Sequence, residues 1–272
     1  MTGKEAYEII VNKLKDTLGE REAYQIAKIY FEDKFNTLIP SLKASLTEPE
    51  INQLQEDIVK LNEGYPIAYL TGKSHFYGLI YSVDESVLIP RPETEELVNW
   101  LIEDLTGLEP KRILDVGTGS GCIPISIARN LEASLTGTDI SKEALNIARL
   151  NAENCKVNVD FIELDSFSDQ FVDVFSQAEI VISNPPYIAI DDLDVDHSTF
   201  TYEPHLALYA DEGGMAFYRR FAELLRKDQV LYLELNEFLG EDIGQLFEAK
   251  GFKCQFKRDL QGKIRMLKVG EL

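Results

Sequence analysis

The chain has 272 residues with 27 basic and 47 acidic side chains, which gives a formal net charge of −20, and 44% of its residues are hydrophobic. This length suffices for one large or two modest domains with hydrophobic cores. The charge disfavours DNA or free RNA as a direct partner, because proteins that bind nucleic acids present basic surfaces. The negative charge is compatible with a basic protein partner, which the negative field would attract. It is equally compatible with a role in solubility alone.

The cysteines indicate a reducing compartment, and the hydropathy pattern indicates neither a signal peptide nor a membrane segment. Cys122, Cys155 and Cys254 are scattered and form neither a CxxC pair nor a metal-ligand spacing, so we predict reduced thiols and no metal site. The polar N-terminal run has no signal-peptide pattern, and no apolar run reaches membrane-spanning length. We therefore expect a cytoplasmic protein that acts as a monomer, without DNA or membrane partners.

The first quarter of the chain has the apolar spacing of helices. Two segments carry apolar residues three and four positions apart, and Gly19 can end the first. Thr47 and Glu50 form a capping box before a third stripe that ends at Gly64. The stripes comprise Tyr7, Ile10, Val11, Leu14, Leu18, Ala23, Ile26, Ala27, Tyr30, Phe31, Ile51, Leu54, Ile58 and Leu61. Short helices with short connections predict a small bundle over residues 1–74.

The next segment, residues 75–90, is interpreted as a β-hairpin that links the bundle to the rest of the chain. His75 to Val83 is aromatic and β-branched, and Asp84-Glu85 is typical of a turn. An amphipathic helix with Leu97, Leu101 and Leu105 on one face is predicted to follow.

From residue 111 onward, predicted strands and helices alternate. This pattern indicates an α/β fold with a mostly parallel sheet. The predicted strands are 112–116, 134–139, 159–163, 180–183, 230–235, 252–257 and 264–269.

A glycine-rich turn, within ILDVGTGSG (113–121), follows the first of these strands and precedes a helix with Pro124 in its first turn. Glycine at such a turn allows the backbone to approach a ligand closely. The dinucleotide fingerprint would require glycine where this chain has Cys122, which disfavours a pyrophosphate site. The second strand ends in Asp139, in a position to accept hydrogen bonds from ribose hydroxyls, and Ser141 is a predicted N-cap.

The fourth strand runs into the sequence Asn184-Pro185-Pro186-Tyr187. Two prolines fix φ twice and remove two N–H donors, so they make a stiff elbow whose acceptors are the Asn184 amide oxygen and backbone carbonyls. With the aromatic face of Tyr187, the elbow suits a planar NH₂ group. If the first and fourth strands are neighbours, the elbow and the glycine loop face each other across one crevice.

These motifs together resemble the bacterial release factor glutamine methyltransferases, over nearly the whole chain. The ribosomal-protein glutamine methyltransferases are a sister group, and Pro90-Arg91-Pro92-Glu93-Thr94-Glu95 sides with the release factor enzymes. Members of the release factor family commonly have glycine at the position of Asn236, so the sequence does not predict the local conformation there. The resembling segments are 61–98, ILDVGTGSG, SNPPYI, Tyr202-Glu203-Pro204 and Ala207-Leu208.

The resemblance implies a Rossmann-like S-adenosylmethionine-dependent methyltransferase fold with a seven-stranded, mostly parallel sheet whose last strand is antiparallel. It implies an N-terminal helical domain that recognises the substrate protein (1–74), a hairpin linker (75–90) and a methyltransferase domain (91–272). The implied cofactor, S-adenosylmethionine, would be bound by Gly117, Thr118, Gly119, Ser120, Gly121, Asp139, Ser166, Phe167 and Asn184. The substrate would be bound by Asn184, Pro185, Pro186 and Tyr187, of which Asn184, Pro185 and Tyr187 are catalytic.

The implied reaction is transfer of a methyl group to the glutamine side chain in the Gly-Gly-Gln loop of class I peptide chain release factors. Arg91, Glu93 and Thr94 either shape the substrate channel or serve only as helix-start and salt-bridge residues. The alternatives are a ribosomal-protein glutamine, a nucleobase amine, an idle cofactor-binding adaptor and a nicotinamide dehydrogenase, the last of which Cys122 disfavours. The acidic run 191–196 lacks the glycine and distal glutamate of a calcium loop, so we interpret it as a loop after the elbow.

Overall fold

A computed structural model of the chain describes residues 1–35, 45–190, 192 and 196–272. These residues form two compact units. The smaller unit comprises Met1–Lys73 and Asp196–Tyr202, and the larger comprises Ser74–Val195 and Glu203–Leu272. The interpretation of the acidic run 191–196 as a loop falls mostly outside the described residues.

Helices and strands alternate along most of the chain. The helices are α1 (Gly3–Leu18), α2 (Glu20–Phe35), α3 (Glu48–Asn62), α4 (Ile67–Thr71), α5 (Pro92–Leu105), α6 (Cys122–Asn130), α7 (Lys142–Cys155), α8 (Asp169–Gln177), α9 (His197–Tyr202), α10 (His205–Leu208), α11 (Asp211–Gly214), α12 (Ala216–Leu224) and α13 (Gly240–Glu248). The strands are β1 (Lys73–Phe76), β2 (Leu79–Ser82), β3 (Arg112–Val116), β4 (Ser134–Asp139), β5 (Asp160–Glu163), β6 (Ile180–Ser183), β7 (Ile188–Ala189), β8 (Tyr209–Ala210), β9 (Val230–Glu234), β10 (Cys254–Arg258) and β11 (Ile264–Val269).

The smaller unit is built on the three helices that the sequence predicts. The capping box of Thr47 and Glu50 is present at the start of α3, and Thr2 and Glu5 form another at the start of α1. The apolar stripes of α1, α2 and α3 pack into one core, which contains Ala6, Ile10, Val11, Leu14, Ala23, Ala27, Tyr30, Phe31, Leu54, Ile58 and Leu61.

One segment of the smaller unit comes from far along the sequence. Helix α9 is anchored where Ser198 Oγ donates to the Gly64 carbonyl at 2.6 Å and Tyr202 OH donates to the Glu63 carbonyl at 3.3 Å. The rings of Tyr65 and Tyr202 meet edge to face with centroids 5.1 Å apart. The chain that follows the elbow therefore enters the smaller unit before it returns to the larger one, which local sequence patterns do not reveal.

The larger unit contains a seven-stranded sheet with the order β10-β11-β9-β6-β3-β4-β5. Strand β11 is antiparallel to both of its neighbours, while β3, β4, β5, β6 and β9 pair in parallel. All seven predicted strands are present with bounds within two residues, and the antiparallel last strand is confirmed.

Successive residues of the central strands feed two cores on opposite faces of this sheet. In β6, Ile180 and Ile182 belong to one core and Val181 to the other. Helices α5 and α6 cover the first face, and α8, α12 and α13 cover the second, as their buried residues show. Because both faces are covered, β6 and β9 are buried along their whole length.

The β1–β2 hairpin differs from the sequence prediction. Its turn is formed by Tyr77 and Gly78, with φ of +49° and +74°, rather than by Asp84-Glu85. Two residues at positive φ match the twist of paired strands, but tyrosine rarely adopts that conformation, so the turn was not recognisable. Asp84 instead caps a local turn, where its Oδ1 accepts from Ser86 N at 2.9 Å. Within the described ranges, no helix has the length and apolar character needed to cross a membrane.

Candidate active site

The glycine loop and the elbow lie at the same edge of the sheet. Strands β3 and β6 are hydrogen-bonded neighbours, with Ile113 opposite Ile180. A cavity of about 500 Å³ is lined by Gly117 and Gly119 from the loop and by Asn184 and Pro186 from the elbow. The predicted crevice between the two motifs is therefore confirmed.

The glycine loop owes its shape to three left-handed residues. Gly117, Gly119 and Gly121 have φ of +73°, +51° and +78°, which side-chain-bearing residues rarely adopt. At Gly121 a Cβ atom would also lie 3.0 Å from Ile125 Cδ1. Helix α6 starts directly after this glycine, so its first turn is held close to the strand end.

Asp139 connects the glycine loop to the end of β4. Its Oδ2 accepts from Gly119 N and its Oδ1 from Ser141 N, both at 2.9 Å. Burial raises the pKa of Asp139, and these backbone bonds partly offset the shift. A carboxylate has about four acceptor positions, so Asp139 can still accept from hydroxyls of a ligand in the cavity it lines.

Asp115 is a buried carboxylate that sequence reasoning did not single out as a site residue. Among the described residues, neither of its oxygens has a hydrogen-bond partner of regular geometry, although the Thr118 hydroxyl acts to lower its pKa. Burial dominates and raises the pKa of Asp115 to about 7. The only sequence signal is an acidic residue inside an apolar strand immediately before the glycine loop. Asp115 is fully buried and does not line the cavity, so it would act on a cationic ligand there through its charge.

The far wall of the cavity is apolar and aromatic. Ser166 and Phe167, which the resemblance implies as cofactor contacts, line it together with Ile140 and Phe217. The Phe167 ring is 49% exposed and meets Phe217 edge to face, with centroids 5.0 Å apart. This wall suits a flat heterocycle.

Five of the predicted site residues do not line the cavity: Thr118, Ser120, Gly121, Pro185 and Tyr187. Ser120 has a supporting position. The Ser120 carbonyl accepts from Asn151 Nδ2 at 2.9 Å. The same Asn151 amide also bonds Ser82 N and Ser82 O, so it holds β2 against the glycine loop.

The elbow is fixed from behind by a buried hydrogen-bond chain. Asn184 Nδ2 donates to Thr94 Oγ1 at 3.1 Å, and Thr94 Oγ1 donates to Glu234 Oε2 at 2.6 Å. Tyr187 OH donates to Glu234 Oε1 at 3.3 Å. Burial raises the pKa of Glu234 to about 7, and it raises the pKa of Tyr187 as well. Sequence reasoning missed Glu234, whose only signal is a glutamate inside the apolar run of β9.

Two distant segments that carried the family resemblance meet in the larger unit. The buried Glu203 carboxylate accepts from the Arg91 guanidinium and, at 3.1 Å, from Ile89 N. Pro204 and Ala207, which follow it, line the cavity. Arg91 therefore acts in an ion pair, while Thr94 supports the elbow.

Asn236 does not adopt the positive φ that a glycine would allow. Its Nδ2 donates to the Tyr187 carbonyl at 3.4 Å, and its Oδ1 accepts from Phe238 N at 2.9 Å. The asparagine thus ties the loop after β9 to the back of the elbow.

This sheet order, with a glycine loop, a carboxylate at the second strand end and an Asn-Pro-Pro-Tyr elbow around one cavity, defines a methyltransferase of the S-adenosylmethionine-dependent class. Residues 94–201 match the model of the methyltransferase small domain family. The hMettl16 catalytic domain has the same fold, with a TM-score of 0.58 and 18% identity over 90% of each chain.

The chain belongs to the release factor glutamine methyltransferase family. It is 38% identical to the release factor glutamine methyltransferase of Flavobacterium psychrophilum over 95% of both proteins. It is 40% identical to that of Streptococcus pneumoniae over 92% of both. The family assigned from sequence motifs is confirmed.

Proposed function

We propose that this protein transfers a methyl group from S-adenosylmethionine to the side-chain nitrogen of the glutamine in the Gly-Gly-Gln loop of class I peptide chain release factors. The product is N5-methylglutamine. The observation that carries the proposal is one cavity that has the glycine loop on one side and the amide of Asn184 on the other. Relatives that share up to 96% of their length with this chain are named for glutamine methylation of release factors.

The residues around the cavity fit S-adenosylmethionine. Asp139 lines the cavity and matches ribose hydroxyls. The buried Asp115 carboxylate does not line the cavity, so it would favour a positively charged ligand through its charge and not through direct contact. Ser166 and Phe167 offer a wall for adenine. When bound, S-adenosylmethionine supplies an electrophilic methyl group on a sulfonium, whose sulfur keeps the bonding electron pair on transfer.

The elbow has to compensate for a poor nucleophile. Delocalisation of the amide lone pair corresponds to a rotation barrier of about 18–20 kcal/mol in a peptide. Asn184, which lines the cavity, would accept one N–H of the glutamine through Oδ1, so that the nitrogen can pyramidalise. The Pro185 carbonyl as the second acceptor and the Tyr187 ring against the amide plane are proposed from the sequence, since neither residue lines the cavity. Such acceptors also stabilise the positive charge that develops on nitrogen. Alignment supplies further rate, and the product nitrogen then loses a proton to water.

The proposed domains are an N-terminal helical domain (1–74), a hairpin linker (75–90) and a methyltransferase domain (91–272). The N-terminal helical domain is proposed to recognise the protein substrate. The net charge of −20 supports a basic partner surface. We further propose that the protein acts as a monomer in the cytoplasm, where its free cysteines Cys122, Cys155 and Cys254 would stay reduced.

A ribosomal-protein glutamine is the second candidate substrate, since the elbow chemistry would be the same. A nucleobase amine is also planar, but it requires base flipping and a basic cleft, which the acidic charge opposes.

Transfer of labelled methyl groups from S-adenosylmethionine tests the proposal. The purified protein is incubated in parallel with a release factor, ribosomal proteins, DNA and RNA. Label in the release factor alone supports the proposal. Label confined to ribosomal proteins or nucleic acid, or tight cofactor binding with no transfer, contradicts it.

A further inference from the structure

The amide of Asn184 is held by two residues that lie far from it in sequence. Thr94 is 90 positions before Asn184, and Glu234 is 140 positions after Thr94. Thr94 is 3% exposed and Glu234 is 1% exposed, so water does not compete for their hydrogen bonds. The chain Asn184–Thr94–Glu234 is therefore a closed polar network behind the elbow.

The direction of these hydrogen bonds follows from which of the three side chains carry protons to donate. An ionised carboxylate only accepts, so Glu234 Oε2 must receive the single hydroxyl proton of Thr94. Thr94 Oγ1 then has only lone pairs to offer to Asn184, and it has to accept from the Asn184 NH₂ group. A flipped Asn184 amide would place two acceptors against each other, at a distance of 3.1 Å. The ionised glutamate thus determines which atom of Asn184 is turned away from Thr94.

We propose that Thr94 and Glu234 are positioning residues that fix the Asn184 amide with Oδ1 free to accept an N–H of the substrate carboxamide. This inference rests on the proposed function. Selectivity for an NH₂ donor then resides partly in residues that never touch the substrate. The same elbow with the opposite amide orientation would present a donor and repel an NH₂ group.

Other charged and titratable groups surround Glu234. Tyr187 OH donates to its side chain, Tyr218 OH donates to its backbone carbonyl at 3.0 Å, and Arg265 lowers its pKa while Glu93 raises it. Burial is the largest effect and raises the pKa of Glu234 to about 7. Protonated Glu234 can donate to Thr94, which frees the Thr94 proton for Asn184 Oδ1. The amide orientation is then no longer unique, so activity falls as pH drops through about 7.

Thr94→Val and Thr94→Ser form the first test. Valine keeps the shape and removes the hydroxyl, whereas serine keeps the hydroxyl. Thr94→Val is expected to lower kcat about tenfold or more while the Kd for S-adenosylmethionine stays within about threefold, and Thr94→Ser is expected to stay close to wild type. A Thr94→Val enzyme with unchanged kcat, or with cofactor affinity reduced as much as kcat, overturns the proposal.

Reversal of the polarity is the second test, and a purely structural role would not respond to it. In Asn184→Asp, two carboxylates compete for one Thr94 proton, so transfer is expected to fall by about two orders of magnitude. Adding Glu234→Gln provides an NH₂ group that donates to Thr94, whose own proton is then free for the carboxylate introduced at position 184. The N184D/E234Q enzyme is expected to be about tenfold more active than N184D. Equal activity of the two overturns the proposal.

The pH profile of Glu234→Gln completes the test, since glutamine does not titrate. The kcat of Glu234→Gln is expected to stay constant below about pH 7, where the kcat of wild type decreases. An unchanged acid limb overturns the role of Glu234. Every series includes the wild-type enzyme with a release factor as substrate. If the wild-type enzyme transfers no methyl group, the proposed function is contradicted. If it transfers normally and the variants are unaffected, only this inference is contradicted.

Discussion

Gly214 approaches the carbonyl of Tyr187 so closely that a Cβ atom on the glycine would lie 2.4 Å from that oxygen. Its φ is +88°, which also disfavours a side chain. Gly214, which ends α11 and does not itself line the cavity, therefore supports the elbow. The adjacent Gly213 has φ of +66° but nothing within 4 Å of a Cβ position, so it is a matched control.

Gly213→Ala is expected to lose about 1–2 kcal/mol of stability from its left-handed conformation alone. Gly214→Ala adds a steric clash, typically about 1–3 kcal/mol, and displaces the elbow. We expect urea unfolding to show the larger loss for Gly214→Ala, and kcat to fall only in that variant. Equal stability and equal kcat of the two variants would show that the contact does not constrain the elbow.

Asn184→Ala removes the acceptor that the proposed reaction requires. The rate of a single turnover should fall by about 10²–10³, the usual effect of deleting one preorganised polar group. Binding of S-adenosylmethionine, measured by calorimetry, should stay nearly intact. If affinity and rate fall by the same factor, the elbow mainly builds the cofactor pocket.

Asp115→Asn tests the buried carboxylate through stability as well as binding. The pKa of Asp115 is about 7 in the folded protein and 3.8 as the reference value, so the folded state binds its proton more tightly. Its contribution to stability is therefore lost progressively as pH rises from about 4 to about 7, and above that range a penalty of roughly 4 kcal/mol remains. Asparagine carries no charge, so the cofactor-free variant should be more stable than wild type at about pH 8 and lose this advantage as the pH falls to about 4.

The same variant should show a smaller rise in Tm on addition of S-adenosylmethionine, because it lacks the buried negative charge that precedes the glycine loop and would attract the cation. Exposed Asp173→Asn serves as the control. An Asp115→Asn protein that is no more stable at high pH would mean that this carboxylate has a partner in the cofactor-free protein.

Asn151→Ala should release the hairpin from the glycine loop. The buried side chain makes three hydrogen bonds, at 2.7 Å to Ser82 N, 2.9 Å to Ser82 O and 2.9 Å to Ser120 O. At about 1 kcal/mol each, we expect a loss of roughly 3 kcal/mol of unfolding free energy. Asn146→Ala, on an exposed position of the same helix, should have little effect. A difference below about 0.5 kcal/mol between the two variants would contradict this role.

Local patterns in the sequence were enough for the sheet and for the two motifs at its edge. Apolar β-branched runs fix the strands, and the position of Gly117 and Asn184 directly after two of them brings both to one edge once β3 and β6 pair. Helix α3 was readable from its capping box and α7 from its N-cap Ser141.

The features that escaped prediction depend on contacts between distant segments. The link from Thr94 to Glu234 joins residues 140 positions apart, and no periodicity encodes it. The position of α9 in the smaller unit depends on its bonds to Glu63 and Gly64. The turn at Tyr77 was missed for a local reason, because tyrosine at positive φ has no sequence signature.

The central claim is that the elbow presents a glutamine carboxamide nitrogen for methylation. Fragment-ion mass spectrometry of a class I release factor, treated with this protein and S-adenosylmethionine, tests it most directly. We expect a single added methyl group, located on the side chain of the glutamine in the Gly-Gly-Gln loop. A methyl group found on any other residue, or a Gly-Gly-Gln loop that remains unmodified after prolonged incubation with the protein and S-adenosylmethionine, would contradict the account.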